Sequence, residues 1–145
     1  MTNIRTATIT DTKALQLLSS HLGYSDTSET VAEQRLQCLL ESSNDEVWVF
    51  EESNRLLGWI HVFKANRVAS AAFNEIGGLV VDPDSRNKGI GRKLVEFACR
   101  HSIAQDLELR VRCHSKRQGA HQFYEKLGFS RSKSQYVFDI DCTKE

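Results

Sequence analysis

Glu75-Ile76-Gly77-Gly78-Leu79-Val80-Val81-Asp82-Pro83-Asp84-Ser85-Arg86-Asn87-Lys88-Gly89-Ile90-Gly91-Arg92-Lys93-Leu94 reads as a strand, a basic glycine-containing loop and the start of a helix. The strand ends at Val81, and Asp82-Pro83-Asp84 forces a turn. Beyond the loop, Ile90, Leu94, Phe97 and Ala98 share one helical face. The first N–H groups of such a helix have no intrahelical acceptor, and the helix dipole adds positive charge there. Gly89 and Gly91 let an anion approach that backbone closely, because no Cβ stands in the way. Arg86, Lys88, Arg92 and Lys93 place further positive charge around the loop. The stretch predicts a phosphate or diphosphate site. The alternative is a glycine-rich turn into a surface helix with solvated charges. A Walker loop is excluded, since G-x-x-x-x-G-K-[ST] is absent, and Gly89-x-Gly91-x-x-Leu94 lacks the third glycine of a dinucleotide fingerprint.

Working outward, Ile4 to Thr8 alternates as a short strand. Thr10 or Asp11 caps a helix carrying Ala14, Leu15, Leu18 and Leu22, which Gly23 ends. A second helix starts near Asp26, with Glu29 three residues on as in a capping box, and carries Leu36, Leu39 and Leu40. Val47–Phe50 and Leu56–Phe63 are β-branched and aromatic, and Ser53-Asn54 between them predicts a hairpin. Then follow a strand Phe73–Val81, a helix from about Gly91 to Ala104, a strand Leu107–Cys113, a helix Gln118–Leu127 and a tail strand from about Tyr136 to Ile140. The order β-α-α-β-β-β-α-β-α-β predicts a mixed α/β fold around one sheet, with residues 1–145 as a single domain.

A chain of 145 residues can bury a core without metal or disulfide staples. Its 19 basic residues balance 19 acidic ones, so net charge gives no reason to expect nucleic acid or an anionic membrane as partner. No apolar run reaches the roughly 18 residues needed to span a bilayer, and the N-terminus has no apolar signal region. Cys38, Cys99, Cys113 and Cys142 form no C-x-x-C pair and are expected as reduced, buried thiols of a cytoplasmic protein. No set of ligands around His114 or His121 has metal-site spacing, so both are expected as surface residues and no metal is expected. Cys113 has no legible partner that would make it a nucleophile.

Arg86-x-x-Gly89-x-Gly91, placed after the Leu79-Val80-Val81 strand, resembles the coenzyme A signature of the GCN5-related N-acetyltransferases (GNAT). Gly119-Ala120-His121-Gln122-Phe123-Tyr124-Glu125-Lys126-Leu127-Gly128-Phe129 resembles that family's second motif. Together the motifs span roughly half of the chain in the expected order. The resemblance implies the acyl-CoA N-acyltransferase fold: a central, mostly antiparallel sheet flanked by helices, with a splayed parallel pair, here Phe73–Val81 and Leu107–Cys113. The pantetheine arm of acetyl-coenzyme A, the cosubstrate, would lie in that gap. Leu79 and Val81 would bond it through main-chain groups while Val80 points into the core. Gly77-Gly78 would mark a bulge that opens the strands, or else a place of close packing. The diphosphate would rest on the amides of Asn87, Lys88, Gly89, Ile90, Gly91 and Arg92, beside Arg86. Phe123 belongs to the cofactor side, as does Arg117, which stands where the family often has asparagine.

Acetyl transfer to an amine needs a proton acceptor, a polarised thioester and a stabilised thiolate. By resemblance Glu75, eleven residues before Arg86, is the general base, directly or through a water, and Tyr124 faces the coenzyme A sulfur. A structural glutamate and a core tyrosine are the plainer alternatives, since Ala120, Phe123, Tyr124 and Leu127 also fit a helical stripe. Asp45, Glu46 and His61 are weaker candidates for the base. The resemblance therefore implies an N-acetyltransferase acting on a small-molecule or peptide amine. The alternatives are another acyl donor or an alcohol acceptor, and, from a different class, a non-catalytic coenzyme A-sensing domain. The acceptor would be gripped by segments around His21–Ser28 and Lys64–Ala72, whose composition selects no substrate. Exposed edge strands leave room for a homodimer.

Overall fold

The computed structural model describes residues 3–21, 28–113 and 115–143. Two compact units form, Met1–Arg112 and Cys113–Glu145.

The first unit is built on a sheet of strands β1 (Ile4–Thr6), β2 (Asp45–Glu52), β3 (Arg55–Ala65), β4 (Phe73–Val81) and β5 (Leu109–Val111), lying side by side in chain order. The β1–β2, β2–β3 and β3–β4 pairs are antiparallel, and β4–β5 is parallel. The β2–β3 hairpin turns on Ser53 and Asn54, both at positive φ (53° and 62°), which is the twist a two-residue hairpin loop requires. A parallel pair needs a crossover, and helix α3 (Ile90–Ala104) supplies it.

Alternation along β2 divides the core into two layers. Val47 and Val49 meet Leu18 of α1 (Thr12–Ser20) and Leu36 of α2 (Glu29–Glu41) on one face. Trp48 turns the other way and packs edge-on against Phe97 and His101 of α3, at 5.0 and 4.9 Å between ring centres. Asn74 on β4 also faces α3, donating from Nδ2 to Ser102 Oγ at 3.0 Å. Leu94, on α3, is completely enclosed. Leu94→Ala should therefore cost about 3 kcal/mol of stability, read as a lower urea midpoint at unchanged slope.

Several expectations shift. Helix α2 starts at Glu29 behind Ser28, whose Oγ accepts from the Val31 amide at 3.2 Å. Asp26, Leu22 and Gly23 lie outside the described residues. β5 is shorter than predicted, because the Leu107 amide still donates to Ser102 at the end of α3. The cysteines are not buried: Cys38 and Cys142 are exposed, and Cys99 and Cys113 are half-buried.

The second unit holds helix α4 (Gln118–Lys126), closed by Leu127 and Phe129 amides that both donate to the Tyr124 carbonyl. The expected tail strand is absent. Tyr136, Val137, Phe138 and Ile140 are 83–91% exposed, in a stretch without regular structure. A strand needs a hydrogen-bonding neighbour, and this unit contains no other strand among its described residues.

Candidate functional site

The pairing of β4 with β5 runs only from Asn74–Leu109 to Ile76–Val111, although β4 continues to Val81. On its other side β4 stays paired with β3, but the register jumps between His61–Gly78 and Val62–Ile76. Gly77 is the extra residue of a β-bulge, and it stands where the parallel pairing stops. Close packing is present as well. A Cβ on Gly77 would lie 2.7 Å from His61 Nδ1, and one on Gly78 would lie 2.8 Å from the Trp59 ring.

Beyond the bulge, the Asp82 amide donates to the Leu57 carbonyl at 2.8 Å. In an antiparallel ladder the main-chain groups alternate sides. Those of Val80 thus face β3, while those of Leu79 and Val81 face away, where no strand lies beside them among the described residues. The Val80 side chain is buried in the layer under α1 and α2.

This open edge leads into the basic loop. A short 3-10 turn at Pro83–Ser85 is capped by Asp82, which is held in turn by Arg55 at 2.9 Å. Asn87 and Gly89 both take left-handed backbone conformations (φ 69° and 76°). A side chain at Gly89 would meet no neighbouring atom, so its conformation is what demands glycine. No side chain caps α3, and the first helical bond runs from the Lys93 amide to the Gly89 carbonyl. The amides of Ile90, Gly91 and Arg92 thus open the helix without an intrahelical acceptor, which suits an anion. Arg86 and Lys88 are exposed on the loop, Arg92 pairs with Glu96 at 2.7 Å, and Lys93 lies over the Phe50 ring.

Glu75 is 9% exposed and lies on the α1/α2 face of the sheet, opposite Phe63 in the register. Arg112 Nε donates to its Oε1 at 3.0 Å. On the same face, His61 Nε2 and Asp45 Oδ1 are 2.7 Å apart, and Ser42 Oγ donates to Asp45 Oδ2 at 2.7 Å. Burial works against the Asp45 carboxylate, but the bonds from His61 and Ser42 outweigh it and hold the carboxyl below its usual range. Glu46 is separated from this group. It faces α3 and lines a shallow cavity of about 310 Å³ with Trp48, Phe97, Arg100 and His101.

In the second unit, Tyr124 packs edge-on against Phe123 and Phe129, at 5.0 and 5.5 Å. Burial first, then the nearby Cys113, push its phenol up to about 12, with Arg117 opposing. Arg117 is exposed at the start of α4 and makes no capping bond there. Burial likewise raises the Cys113 thiol, which disfavours a thiolate nucleophile. His121 is half-buried, not a surface residue, because it sits one turn into α4 beside the aromatic stripe; His114 lies outside the described residues. Among the described residues, no three His, Cys, Asp or Glu side chains converge as metal ligands, and no helix is long and apolar enough to cross a membrane.

Sequence reading missed two features: the Asp45–His61 pair and the grip of Arg112 on Glu75. The hairpin register carries the first, since Asp45 stands opposite Phe63, two residues from His61. The second depends on how far β5 runs.

The family model described as acetyltransferase (GNAT) family matches residues 12–129. Among solved structures, a putative acetyltransferase from Agrobacterium tumefaciens superposes with a TM-score of 0.85 at 19% identity, covering 94% of this chain and 99% of that one. The aminoglycoside 6'-N-acetyltransferase AAC(6')-IG of Acinetobacter haemolyticus gives 0.83 at 17% identity, covering 96% and 98%. Glucosamine-6-phosphate N-acetyltransferase of Arabidopsis thaliana gives 0.81 at 22% identity, covering 95% and 97%. At these identities the likeness is one of fold. No curated protein sequence matches the chain.

Proposed function

Since the chain belongs to the GNAT acetyltransferase family, we propose that it transfers the acetyl group of acetyl-coenzyme A directly to a primary amine, as one cytoplasmic enzyme domain. The observation that carries this reading is the β4 edge, open past Ile76 and continuous with the uncapped start of α3. An extended arm can add to that edge as another strand would, bonding Leu79 and Val81. A diphosphate can take the amides from Asn87 to Arg92, with Arg86 and Lys88 beside it. Arg117 and Phe123 are assigned to the cofactor by the second motif.

The acceptor reaches the site as an ammonium. Removing a proton of reference pKa about 10.4 at pH 7 costs about 4.6 kcal/mol. Glu75 takes that proton through a water, and Arg112 fixes the carboxylate that does so. Tyr124 donates a hydrogen bond to the departing thiolate. From a phenol near 12 to a thiol near 8.5, full proton transfer is uphill by about 5 kcal/mol. Tyr124→Phe should therefore lower kcat about tenfold, the worth of one such bond, with acetyl-coenzyme A affinity unchanged, as followed by thiol release.

Calorimetry with acetyl-coenzyme A, then thiol release with glucosamine 6-phosphate, kanamycin, spermidine and lysine, tests the reading. Micromolar binding with turnover of at least one amine is expected. A folded protein that binds no acetyl-coenzyme A would sink it. Binding without transfer to any amine would favour a coenzyme A-sensing role.

A further inference from the structure

His61 lies on the face of the sheet that carries Glu75, next to the point where β4 parts from β5. Its Nε2 is 2.7 Å from Asp45 Oδ1. An ionised carboxylate only accepts, so Nε2 is the donor of that bond, and in the neutral ring Nδ1 carries the lone pair. Nδ1 is aimed at the bulge: it lies 2.7 Å from where a Gly77 Cβ would be. Any side chain there would have to displace the imidazole. Phe63 packs against the ring at 5.8 Å, and the side chain keeps 20% of its surface in contact with solvent.

The position matters because of the cofactor reading, on which this inference rests. An arm that starts from a diphosphate at the α3 N-terminus and passes Val81 and Leu79 next reaches the level of Gly77. Its acetyl end therefore arrives beside His61. Glu75 is two residues further along β4 and diagonal to His61 across the strand pair; roughly 7 Å between the Cβ atoms of such a pair is a span that two long side chains and one water close.

We propose that the Asp45–His61 pair is a proton relay for acetyl transfer: His61 Nδ1 receives the amine's proton from Glu75 through a water, and Asp45 is the positioning residue behind it. Glu75 thereby regains its lone pair, and His61 becomes an imidazolium facing the Asp45 carboxylate. The proton then leaves through the solvent-exposed edge of the ring. The charged groups on this face of β2, β3 and β4 are Asp45, Glu51, which is paired with Arg5 of β1, and Glu75 with its partner Arg112. Glu46, on β2, faces α3 instead. The charged residues of α1 and α2 (Lys13, Glu29, Glu33, Arg35, Glu41) are exposed, and these helices bring leucines to the layer.

The test compares wild type, H61Q and D45N with acetyl-coenzyme A and whichever panel amine turns over. Glutamine keeps a donor to Asp45 but has no basic nitrogen. H61Q should lose kcat at least about tenfold, lose the acid limb of the kcat–pH profile, and keep calorimetric acetyl-coenzyme A affinity. D45N should move that limb to lower pH, since removing the carboxylate charge disfavours imidazolium; a purely structural contact would not move it. An H61Q variant with wild-type kcat and profile overturns the relay. Long-range ¹H–¹⁵N spectra of the wild type give a test that needs no acceptor. The Nε2–H tautomer at His61 is expected, and an Nδ1–H tautomer overturns the relay. Loss of acetyl-coenzyme A binding by the wild type would instead strike the cofactor reading.

Discussion

Acetyl-coenzyme A binding is expected to weaken at least about 100-fold when Gly89 and Gly91 both become glutamate. Two unit charges about 5 Å apart at an effective dielectric of about 20 repel by about 3 kcal/mol, which exceeds two decades of affinity. Bulk adds to charge, because the proposed diphosphate site is the loop backbone itself. Gly89 also sits at φ 76°, where any side chain is strained, so the double variant needs a control. Gly91 is inside α3, and Gly91→Ala should preserve the helix while adding only a methyl group. Titration calorimetry on the three proteins, each checked for an intact unfolding transition, separates blockage from unfolding. Full affinity in the folded double variant would place the diphosphate elsewhere.

Glu75→Gln should lower kcat about 10²-fold or more, the usual worth of a positioned general base, with acetyl-coenzyme A affinity unchanged. Glutamine has nearly the same shape, and its carbonyl can still accept from Arg112. The Arg112 contact is therefore kept in form while the proposed proton acceptor is lost. Single-turnover thiol release at saturating amine is the measurement. If kcat is retained, Glu75 is a structural partner of Arg112. If kcat falls together with stability, the 9% exposure of Glu75 and the altered bond to the exposed Arg112 explain the loss.

The fold was legible wherever local chemistry decides it. Phe73–Val81 and the Gly89 turn into α3 appear where the β-branched run, Pro83 and the glycines put them. The hairpin at Ser53-Asn54 is likewise written in its turn residues. Less legible were elements whose existence depends on a neighbour. The Tyr136–Ile140 stretch has strand-forming residues yet forms no strand, because propensity cannot supply a partner edge. The site divides in the same way. The loop reads from its own glycines and charges and Glu75 is proposed from the family resemblance, whereas the Arg112–Glu75 and Asp45–His61 pairs arise between segments remote in sequence. Only the register of the sheet brings those side chains together.

The bulge at Gly77 changes the parity of β4. In an unbroken strand, residues an odd number of positions apart look in opposite directions. Glu75 and Val80 are five apart, yet both belong to the α1/α2 face. One extra residue shifts the count, so a single strand shows a carboxylate at one end and a core valine at the other on the same side. Deleting that glycine would exchange faces for everything before it, sending Glu75 under α3 and turning Asn74 away from Ser102. The length of this strand is thus more tightly constrained than the identity of most side chains on it.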